Sequence, residues 1–474
     1  MLKIQIQEDI KSYLGYTPTS GQAAAIDILS DFTLNPDSGK CLLIKGYAGT
    51  GKTSLIAGYV KTLQKLKVPF ELLAPTGRAA KVLTDYSGIK ALTIHKCIYR
   101  QKSISEGIGK FVLNLNKLTN AIFIVDEASM ISNSSFEDSA FGSGKLLSDM
   151  VEFVKQGKNC RLIVVGDTAQ LPPVGLDISP ALDARELAMF NLDVQEIFLN
   201  EVVRQDLGSG ILFNATRIRQ ILDSTAISTP KFDVSTRFKD IERIDGGSIM
   251  EYLTEEYSRS NRNSNVVICY SNKQANRYNI AIRSRILFNE EELSVGDYLM
   301  VARNNYYWVA DNPNIAFIAN GEIVEVKRIG KHYNLYGFRF ADVTLKLTDE
   351  DNQEVDARII LDSLTIDGPS LGSEQMKNLY AAVAQDFQHI KTYRTRLQKI
   401  REDPFFNAIQ VKFAYAVTCH KAQGGQWPNV FIDQGFFRES MINREYLRWL
   451  YTAVTRATSK VYMVNFNDIF FGNE

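Results

Sequence analysis

Apolar residues in this chain come in short unbroken runs, spaced so that a helix fits between one run and the next. Cys41-Leu42-Leu43-Ile44, Leu72-Leu73-Ala74, Ala121-Ile122-Phe123-Ile124-Val125 and Leu162-Ile163-Val164-Val165 lack the alternation of a half-exposed strand. Such runs predict parallel strands covered on both faces. Between them, residues 21–32 place Ala25, Ile26 and Leu29 on one helical face, with Ser20 as the expected N-cap. Residues 54–66 do the same with Leu55, Ile56, Tyr59, Val60 and Leu63, and residues 79–84 supply a further helix. Strand and helix in alternation predict an α/β fold with a doubly wound parallel sheet.

The same grammar returns from about residue 199. Val266-Val267-Ile268-Cys269-Tyr270 reads as a strand, and Ser271 opens a helix carrying Ala275, Tyr278, Ile280 and Ile282. Between about 285 and 365 the period shortens to alternating strands, with Asn320-Gly321 as a tight turn, which predicts a small β-barrel insertion. Residues 374–402 contain no Gly or Pro and space their apolar positions as one helix, ~40 Å long, projecting as a strut. The α/β pattern resumes at Phe413-Ala414-Tyr415-Ala416-Val417-Thr418. In the first unit, the polar stretch 101–110, flanked by Tyr99 and by Phe111-Val112-Leu113, predicts a hairpin.

Chemistry is concentrated where strands end. Gly46-Tyr47-Ala48-Gly49-Thr50-Gly51-Lys52-Thr53 matches the phosphate-binding loop G-x-x-x-x-G-K-[ST] and lies between a strand and a helix. Backbone N–H groups and the helix N-terminus there converge on phosphate oxygens. Lys52 reaches the outer phosphates, and the Thr53 hydroxyl suits a magnesium ion. Asp126-Glu127 ends a second apolar run, pairing an acid suited to Mg²⁺ with one placed to orient and deprotonate water. Arg204 in LNEVVRQ and Arg456 in YTAVTRA each follow an apolar segment in the second unit, and across a cleft they would act as arginine fingers.

Composition narrows the partners. Lysines plus arginines equal aspartates plus glutamates at 54 each, so the positive charge of any nucleic-acid site must be local to a groove. The five cysteines form no C-x-x-C pair, which argues against zinc and for a reducing compartment. No apolar run approaches the ~18 residues of a membrane helix. The N-terminus shows no signal-peptide core. A cytoplasmic protein of two to four domains is expected from its 474 residues.

The ordered set GYAGTGKT, APTGRAA, VDEASM, GDTAQLPPV, LNEVVRQ, TCHKAQGGQW and YTAVTRA resembles the superfamily-one DNA helicases, in the branch of RecD and Dda. The resemblance implies two RecA-like parallel-sheet domains with ATP between them, and movement 5′ to 3′ on single-stranded DNA by a monomer. It assigns 1–198 to the first RecA-like domain, with a pin-like hairpin at 96–118. The second is assigned to 199–284 and 409–474, and an SH3-like barrel with a helical tower to 285–408. It implies that Gln22 reads adenine and that Gly49, Gly51, Lys52, Thr53 and Ser54 hold the nucleotide. Thr53 and Asp126 would bind Mg²⁺, with Glu127 as base, Gln170 as γ-phosphate sensor, and Arg204 and Arg456 as fingers. Pro75, Thr76, Gly77, Thr93, His95, Thr418 and His420 would line the strand, with Tyr99 or Phe111 stacked on the fork base pair. Lys391, Arg394, Arg396, Lys399 and Arg401 on the tower are either a DNA contact or a solvated face. One departure is Gln426, where RecD-like relatives often carry glutamate.

Rival readings are an RNA helicase, separated by the 2′-hydroxyl, and an ATP-gated single-strand-binding switch without turnover. A phosphate-loop kinase leaves Gln170, Arg204 and Arg456 without a role.

Overall fold

A computed structural model of the chain describes residues 1–101, 111–134, 141–203, 208–310, 312, 315, 317–348 and 353–472. Its first lobe is built on a six-stranded, all-parallel sheet. The order is Leu92–Thr93, Phe70–Ala74, Ile122–Val125, Arg161–Gly166, Lys40–Gly46, Asp193–Leu199. Alternate residues of each run serve opposite layers, which is why the runs show no polar face. Leu42, Ile44, Ile122, Ile124, Ile163 and Val165 meet the helices Leu2–Leu14, Ser20–Leu34, Lys52–Lys65 and Gly77–Ser87. Cys41, Leu43, Phe123, Val125, Leu162 and Val164 meet Leu146–Gln156 on the other side.

The helix Ser20–Leu34 is capped by Thr19, not by Ser20. Thr19 accepts from the Gln22 amide at 3.2 Å while the Gln22 side-chain oxygen accepts from Thr19 N at 3.1 Å, a capping box. At its other end Arg161, 1 % exposed, donates to the carbonyls of Phe32 and Thr33 and to that of Asn120. That buried guanidinium clamps the Gln22-bearing helix to the sheet. Arg161→Ala is expected to cost roughly 3 kcal/mol of stability, through orphaned carbonyls and lost packing. Urea unfolding followed by circular dichroism measures it.

The second lobe repeats the plan with five parallel strands. Their order is Ala416–Thr418, Asn265–Cys269, Trp427–Asp433, Ala457–Val464, Ile241–Ile244. Helices Gly210–Asp223 and Arg444–Val454 cover the face bearing Val266, Ile268, Val430 and Ile432. The opposite face shares one apolar cluster with a closed five-stranded barrel. A buried pair, Arg283 to Asp297 at 2.9 Å, also joins lobe and barrel, and the Tyr415 hydroxyl donates to the same carboxylate.

The barrel comprises Tyr298–Val301, Ile323–Leu335, Phe338–Leu347, Glu354–Ile360 and Ile409–Phe413. Ile409–Phe413, read from sequence as part of the second α/β unit, closes the barrel by pairing with Tyr298–Val301 and Glu354–Ile360. The expected single helix over 374–402 is two, Ser373–Asp386 and Tyr393–Arg401, the longer spanning about 21 Å. The break follows from packing: Leu379, Val383 and Ile400 turn into one cluster with Phe338 and Phe340 of the barrel, and Phe387 packs against it. Among the described residues no helix is long and apolar enough to cross a membrane.

Candidate active site

The strand Lys40–Gly46 delivers the glycine loop to the carboxyl edge of the first sheet, and the helix starts at Lys52. Gly49 and Gly51 both hold φ of 75°, a left-handed conformation that costs glycine nothing. At Gly51 a Cβ would also collide with the Gln22 amide and lie 2.9 Å from the Tyr16 hydroxyl. The loop is therefore tight for two independent reasons. Amides of Lys52, Thr53 and Ser54 occupy the first helical turn, where no carbonyl of the helix reaches them. Lys52 Nζ donates to the Tyr47 carbonyl at 2.8 Å and stands 3.9 Å from Asp167 Oδ2.

The neighbouring strand Ile122–Val125 ends at Asp126, which is 6 % exposed. Thr53 Oγ1 lies 3.5 Å from Asp126 Oδ2, and the Glu127 amide donates to Asp126 Oδ1 at 2.8 Å. Burial, reinforced by the Glu127 charge, pushes the Asp126 carboxyl up to about 6, while its bond from the Glu127 amide and Lys52 pull the other way. A hydroxyl and a buried carboxylate beside a second acid form an oxygen donor set that a hard cation would relieve. Those donors fit Mg²⁺ shared with substrate phosphates. Among the described residues no group of three or more His, Cys, Asp or Glu forms a protein-only metal cage. Glu127 itself adopts φ 53°, ψ 37°, a conformation rare for non-glycine residues and frequent at functional sites.

Gln22 is fully buried, and its Nε2 donates to Thr50 O at 3.0 Å and to the Tyr16 hydroxyl at 3.1 Å. It joins the capped helix to the phosphate loop. Gln170 is 5 % exposed, and its Oε1 has no hydrogen-bond partner among the described residues. A buried unpaired amide at a strand end marks a place for a ligand.

The second lobe closes on this edge. On the helix Arg444–Val454, the Tyr451 hydroxyl donates to Asp167 Oδ2 at 2.8 Å and accepts from Ala48 N at 2.7 Å. Thr452 Oγ1 accepts from Leu171 N at 2.9 Å, and Gln423 Nε2 donates to Leu171 O at 2.6 Å. Arg456, just past that helix, is 3 % exposed and donates to Thr452 O, Gly425 O and Thr455 Oγ1 at 3.1–3.3 Å. None of these acceptors is charged, and Arg456 has no carboxylate partner among the described residues. Arg204 lies outside the described residues. Sequence reasoning missed Tyr451, Asp167 and Gln423 although each sits inside a motif it quoted.

The residues expected along nucleic acid fall into two groups. Thr76 caps the helix Gly77–Ser87 through Ala79 N, beside Pro75 and Gly77, and Thr93 caps Ile94–Ile98 through Lys96 N. Thr418 and exposed His420 begin the short helix Cys419–Ala422 in the other lobe. Near Thr418 a small cavity of about 20 Å³ lies between second sheet and barrel, lined by Asn272, Asn276, Lys412 and Lys421 among others. Burial pushes Lys412 down to about 8, with nearby Lys421 adding to the effect and Asp367 opposing it.

Tyr99 and Phe111 correct the sequence reading. They are 7 % and 5 % exposed and face inward, in a cluster with His95, Phe141, Tyr306 and Phe317. The Tyr99 hydroxyl donates to Asp149 at 2.6 Å. Neither ring is presented for stacking on a base pair: Phe111 packs on Tyr306 and Phe317, and Tyr99 packs on His95 and Phe141. The strands Tyr99–Gln101 and Phe111–Leu113 pair as predicted, and the tip at 102–110 lies outside the described residues. Burial lowers His95 to about 4, so its ring is neutral near pH 7 and contributes packing, not charge.

A family model described as an AAA domain matches residues 19–220, and one described as a UvrD-like helicase C-terminal domain matches residues 413–464. The ATP-dependent DNA helicase dda of Enterobacteria phage T4 is 24 % identical over 459 residues, covering 89 % of this chain and 93 % of that protein. The uncharacterised protein R530 of Acanthamoeba polyphaga mimivirus is 22 % identical over 506 residues, covering 90 % and 96 %. The crystal structure of Pif1 helicase from Bacteroides in complex with ADP-AlF3 and ssDNA aligns over 97 % of this chain and 95 % of its own. Its identity is 14 % and its TM-score 0.48.

Proposed function

We infer, for a chain that belongs to the superfamily-one helicases of the RecD, Pif1 and Dda type, that its activity is ATP-driven unwinding of DNA. The observation that carries this reading is that the helix leading to Arg456 meets the phosphate loop through Tyr451. A buried guanidinium held only by neutral oxygens closes the second lobe, on the segment whose Tyr451 touches the phosphate loop. On this reading one crevice has an amine and two acids on one wall, and on the other a cation just beyond Tyr451 in the chain.

In that crevice the Lys52 amine takes the outer phosphates, and the first-turn amides of Thr53 and Ser54 support them with Gly49 and Gly51. Thr53 and Asp126 hold Mg²⁺, which when bound neutralises charge on the phosphate chain. Glu127 orients and deprotonates the attacking water. Gln170 and Arg456, with Arg204 as a second finger, bear on the γ-phosphate. Gln22, already bonded to the loop carbonyl of Thr50, couples the adenine end of the site to the phosphate end. Closure and reopening of the lobes change the grip of each on the strand, and the cycle becomes directional travel, 5′ to 3′.

Single-stranded DNA runs over Pro75, Thr76, Gly77 and Thr93 in one lobe and Thr418, His420, Lys412 and Lys421 in the other. These are backbone amides, hydroxyls and ammonium groups, which bind phosphates without reading sequence. All parts of the cleft come from one chain, which supports action as a monomer. The five unpaired cysteines fit a reducing, cytoplasmic setting.

The test uses duplexes of one sequence carrying a 5′ or a 3′ single-stranded tail. Unwinding with ATP only from the 5′ tail is expected, and Lys52→Ala should abolish it together with the ATPase. Stimulation of the ATPase by RNA as strongly as by DNA would move the activity to the RNA class. Tight ATP-dependent strand binding without turnover would make the chain a switch instead of a motor.

A further inference from the structure

The glycine loop is gripped from the second lobe at two adjacent residues. Tyr47 occupies a position that the phosphate-loop pattern leaves open, yet it is 7 % exposed and lies in the second lobe's apolar cluster. Its hydroxyl donates to both oxygens of Asp223 at 2.9 and 3.0 Å, and the Arg219 guanidinium covers its ring at 4.3 Å. Asp223 and Arg219 belong to the helix Gly210–Asp223. One residue on, the Ala48 amide donates to Tyr451 at 2.7 Å, and Tyr451 passes its proton bond to Asp167, whose Oδ2 is 3.9 Å from Lys52.

Backbone amides of this loop are the groups that cradle phosphate oxygens. A single N–H at 2.7 Å from one acceptor cannot make a second bond of that quality. We propose that Tyr451 is a phosphate-displaced latch: its hydroxyl and the terminal phosphate are alternative ligands of Ala48 N–H, so nucleotide binding and the grip of the second lobe are linked through one atom. Tyr47, anchored on Asp223, is a second and weaker arm of the same grip, loosened as Tyr451 lets go. Tyr451 is thus a positioning residue. It sets how much of the binding energy of the terminal phosphate goes into moving the lobes. The inference rests on the nucleotide site proposed above and adds to it a named coupling element.

The effect of Tyr451→Phe follows from which state loses a bond. The phenylalanine keeps the ring in its apolar cluster. It leaves Ala48 N–H without its protein acceptor, while the phosphate-bound state keeps its own bond. Affinity for nucleotide without DNA should rise about fivefold, the worth of one net hydrogen bond. The change in affinity that a dT oligonucleotide causes should shrink toward none, because linkage between the two ligands is reciprocal. KM for ATP should fall, and DNA-stimulated kcat should fall with it.

Titrating fluorescent mant-ATP into the full chain, with and without the oligonucleotide, measures each quantity. Tyr47→Phe, which keeps its ring but loses Asp223, should shift the same way by a smaller factor, and it decides the matter if Tyr451→Phe does not fold. Unchanged or weaker mant-ATP binding in these variants overturns the latch. Lys52→Ala separates the two levels: if it leaves mant-ATP binding intact, the site assignment itself is wrong. If it abolishes binding while Tyr451→Phe changes nothing, only the latch is lost.

Discussion

Arg456→Ala is expected to lower ATP turnover by about 10³-fold or more while mant-ATP affinity stays within a few-fold of the parent. The guanidinium is 3 % exposed and bonded to Thr452 O, Gly425 O and Thr455 Oγ1, all neutral. A desolvated cation without a counter-charge is costly to maintain unless an anion arrives to meet it. Charge that grows on the phosphoryl group as the bond to the leaving oxygen breaks is such an anion. The interaction is therefore strongest in the transition state, which lowers kcat and kcat/KM together when it is removed. Arg456→Lys keeps the charge but loses the planar fork that meets the two carbonyl oxygens, so it should recover only part of the loss. Single-turnover hydrolysis with DNA present isolates the chemical step. Full turnover in Arg456→Ala would place this residue in the architecture of the second lobe and remove it from the cleft.

The parts of this molecule that were readable in sequence are those where burial on both faces leaves a continuous apolar signal. The runs at Leu42–Ile44, Ile122–Val125, Leu162–Val165 and Val266–Cys269 all became strands of the two parallel sheets. The phosphate loop was readable because its chemistry fixes residue types at fixed spacing. Where two sheets draw on one apolar stretch the signal fails. Ile409 to Thr418 reads as one unit, yet its first half closes the barrel and its second half joins the lobe. The stretch 374–402 carries no Gly or Pro to announce a break, and the break comes from Phe387 and Leu379 packing on the barrel. Tyr99 and Phe111 looked like rings available for stacking because a sequence does not reveal that Phe141 covers both and that Tyr306 and Phe317, far along the chain, cover Phe111. Tyr47 and Tyr451 gave no signal at all, since their roles exist only once the lobes meet. Motif spacing announces the phosphate loop, whereas the bonds of Tyr47 and Tyr451 across the lobes exist only in the folded chain.

Glu127→Gln should lower turnover by 10²- to 10⁴-fold, the range of a lost general base, and leave the protein bound to DNA in its ATP state. The argument starts from the backbone. Glu127 stands at φ 53°, and its amide is tied to Asp126 Oδ1 at 2.8 Å. Glu127 at that turn is half-buried, while Asp126 stays buried beside Thr53. On the function proposed, Asp126 and Glu127 divide two tasks, cation binding and water activation, between a buried and a half-buried residue. Glutamine keeps the volume and the turn, so folding and mant-ATP binding should be unaffected, unlike the effect expected of Asp126→Asn, which would weaken the Mg²⁺ dependence of binding. With hydrolysis blocked, the lobes remain closed, and the off-rate from a dT oligonucleotide in ATP should fall relative to the parent protein. A Glu127→Gln chain that still unwinds at the parental rate would assign proton removal to another group. Normal turnover with lost strand retention would instead assign Glu127 to lobe closure.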